Sequence, residues 1–271
     1  MSELDPLKEL RSQIDAMDDR LVALLNERSA IVLAIGRIKK KNNSHFHTPA
    51  REQAIYDRLT AGNPGPFPNE SLKHVFREIM GGSLSLEKEI RVAYLGPEAT
   101  FAHQACLQRF SASVLTTPMH TIQDVFEAVE NGVADFGIVP VLNATEGMGN
   151  DTLDLFVDSP LLIYGEVFQN GIRFLVLSQK PSEKTMRDKT SILFSVNERD
   201  KPGTLYEMLK LFSDRPIHFQ SRPSKKKHGE YLFYIDIGGN LAEEKIASAL
   251  KQVEKDALFL KVLGAYPMAE Q

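Results

Sequence analysis

The 271-residue sequence predicts a multidomain chain of mixed α and α/β class: an all-α unit of three helices, an α/β unit, and a terminal βαββαβ unit. Three observations predict this. Apolar residues step by three and four through most of the first forty positions. Past residue 90, short apolar runs alternate with helical patterns and turn signals. Formal charge divides the chain in the same places: residues 1–90 carry 13 basic and 13 acidic side chains, 91–167 carry 2 and 10, and 168–271 carry 17 and 13. The implied units are 1–89, 90–178 and 187–271, joined at Leu86–Glu89 and across the polar stretch Gln179–Lys184.

The first unit opens with a seam of Leu7, Leu10, Ile14, Met17, Leu21, Leu24, Arg28, Ile31, Ile35 and Ile38, which predicts one helix from near Pro6 to about Lys41. At ~1.5 Å per residue it is on the order of 50 Å long, too long to bury itself, and a second copy of the chain is the simplest cover. Thr48-Pro49 reads as N-cap and first turn of a second helix that stops at Gly62, and a third runs from about Asn69 to Glu87.

In the second unit Arg91–Leu95 is a strand entering a Gly96-Pro97 loop. Thr121 caps a helix with Val125, Phe126 and Val129 on one face, and Asp135–Val141 and Leu161–Val167 are buried strands. This predicts an open, mostly parallel sheet with functional loops after the strand ends. In the third unit a strand at Ser191–Val196, a helix from Pro202 to about Ser213, strands at Ile217–Ser221 and Glu230–Ile237, a helix at Ala242–Val253 and a strand at Leu258–Ala265 give the ferredoxin-like order.

Composition narrows the function. A single cysteine, Cys106, excludes a disulfide framework and a Cys-based zinc site and fits a reducing cytoplasm; on a predicted helix it reads as a small core residue. No apolar run approaches the ~20 residues of a membrane span, and the start has no secretory pattern. A net charge of -4 argues against nucleic acid as a partner. His45 and His47, without a nearby Cys, make no metal site, and Lys225–Lys227 is a solvated hairpin; the chain is expected to need no cofactor.

Arg28 is the anomaly, because it lies on the apolar seam and a buried guanidinium needs an anionic partner. A salt bridge to Glu27 or Glu52 is one answer, and a bound anion is the other. Lys39, eleven residues on, shares the side of Arg28, and Arg51 opens the next helix. Arg11 is 17 residues before Arg28, roughly 25 Å away, so it reaches such a pocket only in another copy of the chain. Several cations and no nucleophile suit a small dianion whose reaction needs shaping and electrostatics.

At these residues the first unit resembles the all-helical chorismate mutase family, over about residues 5–88. The matching set is Leu10-Arg11-Ser12-Gln13-Ile14-Asp15, Glu27-Arg28, Lys39, Arg51-Glu52, and Ser83 with Glu87. The resemblance implies rearrangement of chorismate to prephenate in an intertwined homodimer. Arg11 from the second copy, Arg28 and Arg51 would hold carboxylates, Lys39 and Glu87 the ether oxygen, and Glu52 the substrate hydroxyl.

Tyr94-Leu95-Gly96-Pro97-Glu98-Ala99-Thr100-Phe101 and Gly137-Ile138-Val139-Pro140-Val141, continuing to Thr145-Glu146-Gly147 and Asp151-Thr152-Leu153-Asp154, resemble prephenate dehydratases. Behind a mutase this resembles the bifunctional P-protein family of phenylalanine biosynthesis. It implies a periplasmic-binding-protein-like unit with Thr100, Asn143, Thr145 and Arg173 as site residues. The family's Glu-Asn-Ser is here Leu142-Asn143-Ala144, and its Thr-Arg-Phe is Ile172-Arg173-Phe174. Gln169 also runs straight into Asn170-Gly171, where the family carries a further lobe. These departures predict an impaired dehydratase.

The third unit resembles the ACT regulatory domain that ends P-proteins, with Gly203, Thr204, Leu205, Ser221 and Arg222 as the expected phenylalanine site; Gln220 stands where the family has an acid. The competing reading of the whole chain is a non-catalytic, dimeric amino-acid sensor with vestigial enzyme units.

Overall fold

A computed structural model of the protein describes residues 6–41, 49–141, 151–197, 203–224 and 230–269. Thr48, Pro202, Asn143, Thr145, His45, His47 and Lys225–Lys227 lie outside the described residues.

The first unit has the three expected helices: α1 (Pro6–Lys41), α2 (Pro49–Ala61) and α3 (Asn69–Glu87). The seam does form one continuous helix, and α1 packs on α3 through its second half, where Gly36 is buried against Glu87. Leu10, Ile14, Met17, Leu21, Leu24, Ile31 and Ile38 are each more than half exposed in the single chain. An apolar stripe of that length left in water is the mark of a surface that another helix covers. No described helix is long and apolar enough to cross a membrane.

The second unit adds β1 (Arg91–Leu95), α4 (Phe101–Phe110), β2 (Leu115–Met119), α5 (Ile122–Glu130), β3 (Phe136–Val141), α6 (Asp151–Leu155), β4 (Leu162–Gln169) and β5 (Ile172–Ser178). Its sheet has the order β2-β1-β3-β5-β4. The first three strands are parallel, but β5 runs antiparallel to β3 and β4 antiparallel to β5, so the sheet is mixed where a mostly parallel one was expected. The reason is local. Asn170 and Gly171 both take left-handed backbone, φ 49° and 76°, which makes a two-residue type I′ turn whose twist matches the strands on either side. Residues 162–178 are therefore one hairpin, and Ile172-Arg173-Phe174 opens its second strand.

Alternation along these strands fills both faces. Val92, Tyr94, Phe136, Ile138, Phe174 and Val176 pack with Ala102, Ala105, Cys106 and Phe110 of α4. Ala93, Val139, Leu175 and Leu177 pack on the other side with Val125, Phe126 and Val129 of α5. Burial pushes the Cys106 thiol up to about 12, the state of an inert core residue.

The third unit is β6 (Asp188–Asn197), α7 (Thr204–Lys210), β7 (Ile217–Pro223), β8 (Glu230–Gly238), α8 (Glu244–Asp256) and β9 (Phe259–Pro267), with sheet order β7-β8-β6-β9 and every pairing antiparallel. This is the expected βαββαβ arrangement. One face, with Ile192, Phe194, Phe233, Ile235 and Ile237, carries the helices. The other face sends Leu193, Leu232, Tyr234, Leu263 and Tyr266 into the core of the second unit, so the two sheets share one apolar cluster.

The helical unit is docked as well. Lys88 Nζ lies 2.6 Å from Asp135, and the Ala112 amide donates to Glu78 at 3.2 Å. Gly81 touches Ser111 so closely that a Cβ there would stand 1.8 Å from the Ser111 hydroxyl. A glycine that weakens an isolated helix by ~1 kcal/mol is here what lets α3 approach the second unit.

Candidate active site

Helices α1, α2 and α3 bring together the expected cations. Arg28 of α1 donates from Nη1 to the Ser83 hydroxyl of α3, and Ser83 in turn donates to the Ile79 carbonyl at 2.7 Å. Lys39 Nζ lies 3.3 Å from Glu87 Oε2, whose side chain is 7% exposed. Burial, and then the neighbouring Arg51 guanidinium of α2, hold the Arg28 pKa below its ordinary value. Two guanidiniums that repel each other at a half-buried position, with a lysine on the helix of Arg28, make this region electropositive. Among the described residues the hydrogen bond of Arg28 goes to a hydroxyl, so the salt bridge to Glu27 or Glu52 is not the arrangement found.

Glu52 leaves this group. Its carboxylate accepts from Arg109 Nη1 of α4 at 2.8 Å. Adjacent residues of a helix point about 100° apart, so α2 turns Arg51 toward Arg28 and Glu52 toward the second unit. The expected contact of Glu52 with a substrate hydroxyl is in competition with this ion pair. Arg11 is exposed on α1, roughly 25 Å along the helix from Arg28, too far to stand beside it within one chain.

The loop after β1 places Thr100 as the N-cap of α4, accepting from the His103 amide and donating to the Pro97 carbonyl at 2.9 Å. His103 stacks on Tyr94 with ring centroids 4.9 Å apart. Arg173 lies in register with Val141, at the carboxyl end of β3, but its guanidinium is turned into the third unit. Nε reaches Glu166 at 2.8 Å, Nη1 reaches Asp236 at 2.8 Å and Nη2 donates to the Tyr266 hydroxyl at 3.0 Å. Lys189 Nζ joins both carboxylates, at 2.6 Å to Glu166 and 3.4 Å to Asp236, and Ser191 donates to Asp236. Burial works against the charged Arg173, yet the surrounding phenols and carboxylates outweigh it and raise its pKa. The expected site arginine is thus bound into a closed ionic lock between two sheets.

In the third unit Gly203, φ 96°, begins α7, and Thr204 and Leu205 form its first turn. Ser221 and Arg222 stand on β7, the outer strand of the sheet. Arg222 Nη1 donates to Asp154 of α6 at 2.8 Å, so the guanidinium expected at an effector links two units here.

Sequence reasoning did not find the lock of Glu166, Lys189, Asp236 and Ser191, nor the Arg109–Glu52 pair. One signal was present: Glu166 and Asp236 interrupt apolar strand runs, and a buried charge in such a run calls for a partner.

Comparison with known proteins follows the same division. The family model of chorismate mutase type II matches residues 10–88, and that of prephenate dehydratase matches residues 92–193. A bifunctional chorismate mutase/prephenate dehydratase of Aquifex aeolicus is 36% identical over 360 aligned positions, covering 98% of this chain and 99% of that protein. One from Stutzerimonas stutzeri is 31% identical over 365 positions, covering 99% and 100%. With 271 residues set against 360 positions, at least 89 positions of the first alignment have no counterpart in this chain. The X-ray structure of prephenate dehydratase from Streptococcus mutans superposes with a TM-score of 0.57 at 30% identity, covering 67% of this chain and all of that one.

Proposed function

Because the chain belongs to the family of bifunctional chorismate mutase/prephenate dehydratases, enzymes of phenylalanine biosynthesis, we propose that the pocket of Arg28, Lys39, Arg51, Ser83 and Glu87 carries out the mutase reaction. In the rearrangement of chorismate to prephenate one carbon–oxygen bond breaks and one carbon–carbon bond forms within a single molecule, so no nucleophile or cofactor is needed. The enzyme's work is to hold the reactive conformer and to stabilise charge as the ether bond lengthens. Arg28 and Arg51 bind the two carboxylates, Arg11 of a second copy completes the pocket, and Lys39, positioned by Glu87, donates to the ether oxygen. The single observation that carries this reading is the cluster of cations across three helices: Arg28 on Ser83, Lys39 on Glu87, and Arg51 close enough for its charge to be felt at Arg28. The uncovered stripe of α1 supports a homodimer.

The dehydratase half of the family activity is impaired in this chain. Arg173 is held by two carboxylates, Ile172 supplies no hydroxyl, a two-residue turn joins β4 to β5, and the chain is shorter than its alignment with a relative. The third unit is an ACT domain, with phenylalanine as effector near Gly203–Leu205; Arg222 serves it by linking β7 to α6. The buried lone thiol fits the reducing cytoplasm.

Chorismate consumption followed on the purified chain tests both parts. Prephenate should accumulate, phenylpyruvate should form no faster than in buffer, and Arg28→Ala should lower the mutase rate by about 10²-fold or more, as for loss of a charge-stabilising donor. Enzyme-dependent phenylpyruvate at neutral pH would overturn the second part, and an active Arg28→Ala the first.

A further inference from the structure

A cavity of about 230 Å³ lies where the three units meet, between α2, α3, α4, β4 and residues 267–269. It is separate from the Arg28 pocket: α2 faces it with Glu52 and Tyr56, not with Arg51. Three cations line it, Lys73 and Arg77 from α3 and Arg109 from α4. Two carboxylates line it too, but Glu166 already answers Arg173 and Lys189, and Glu52 answers Arg109. Lys73 has Glu70 at 3.1 Å, and that side chain is 76% exposed, outside the lining.

Arg77 differs from the other two. It faces the Tyr56 phenol across the cavity lining, and that phenol also feels Arg109 and Glu52; burial and then Glu52 push it up, and the two guanidiniums pull it down. Among the described residues, the two guanidiniums around this phenol have one carboxylate paired to them, Glu52 on Arg109. A second carboxylate would relieve their repulsion, and a guanidinium binds one through two parallel, charge-assisted bonds. Gln53 and Gln108 add two amides to the wall, and its apolar part includes Val167 and Phe168 of β4 and Pro267 at the end of β9.

We propose that this junction cavity binds a small organic carboxylate with an apolar, aryl-sized body. The carboxylate sits on Arg77 beside Tyr56, and the body lies against Val167 and Phe168. Such a ligand touches all three units at once and competes with Glu52 for Arg109, so its binding is felt at α2. The proposal stands on the charge and lining of the cavity and does not depend on the mutase reading.

The test is calorimetric titration of the full chain in an Arg28→Ala background, which removes the other anion pocket. The probes are 3-phenylpropionate and its uncharged counterpart 3-phenylpropanol. The acid should bind, and the alcohol should bind about tenfold more weakly or worse, the scale of one lost charge-assisted contact. Arg77→Gln should weaken the acid by about tenfold, whereas Glu52→Gln, which frees Arg109, should tighten it severalfold. Opposite signs from two substitutions in one wall cannot come from misfolding. Absence of binding at millimolar acid, equal binding of acid and alcohol, an unchanged Arg77→Gln, or an untightened Glu52→Gln would each overturn the proposal.

Discussion

Arg173 illustrates how far a side chain's role depends on what lies beside it. It is 12% exposed and bonded to Glu166, Asp236 and Tyr266. Its removal would leave Lys189 alone between two buried carboxylates. Arg173→Ala is expected to lower stability by about 3–5 kcal/mol, the range for breaking a buried pair from one side, measured by urea unfolding. A loss under about 1 kcal/mol would mean that the lock is open to water. Asp236 adds a pH dependence. Burial alone would raise its pKa, but Arg173 and Lys189, with the Ser191 hydroxyl, hold it below the ordinary 3.8. A depressed folded-state pKa contributes stability that is complete above the unfolded value and is lost as pH falls through the folded one. Stability should therefore be level down to about pH 4 on this account and fall below it. Asp236→Asn should lower the neutral plateau and flatten the acid limb; an acid limb of unchanged slope would assign it to other carboxylates.

At the scale of elements, the long helix was legible because its period repeats for more than four heptads, and the βαββαβ order because each strand run is bounded by turn residues. The β4–β5 hairpin is equally present in the sequence, as Asn-Gly between two apolar runs, although the family resemblance points at that place to a missing lobe and not to a turn. The mixed sheet follows from that one turn. The partners of Arg173, Glu52 and Arg222 were not legible, since ion pairs across units join residues 57 to 68 positions apart, or 63 for Arg173 with Asp236, and no local period encodes them. The turn itself is open to test. A β-branched residue at φ 76° is strained, so Gly171→Val should cost about 1–2 kcal/mol, while Gly171→Asn, which tolerates left-handed backbone, should cost less. Equal unfolding midpoints for the two variants would argue that the turn has another form in solution.

For the whole molecule the decisive fact is the apolar stripe of α1, with Arg11 at one end and Arg28 and Lys39 toward the other. If two copies pair along it, Arg11 of each serves the pocket of the other. Arg11→Ala and Arg28→Ala chains, each inactive alone, should then regain mutase activity when mixed and exchanged. In every hybrid one pocket collects both lesions and the other has none. A mixture that stays as inactive as its parents after confirmed exchange would rule out the shared pocket. The docking of α3 through Gly81, Glu78 and Lys88 fixes the helical unit against the sheet, so pairing along α1 would also set the spacing of the two sheet regions.

The two-residue turn at Asn170-Gly171 has a kinetic side. Closing a loop carries an entropy that grows as the logarithm of its length, about 0.6 kcal/mol for each doubling, so strands joined by two residues meet far more readily than strands separated by an inserted lobe. Elsewhere in that sheet the pairings are distant, Val92 with Phe136 and Val141 with Arg173. The β4–β5 ladder is the contact of lowest sequence separation among them, and hairpins form in about 1–10 μs, well before non-local strands find each other. The shortened chain thus carries its own template: a ladder on which β3, and then β1 and β2, add in turn.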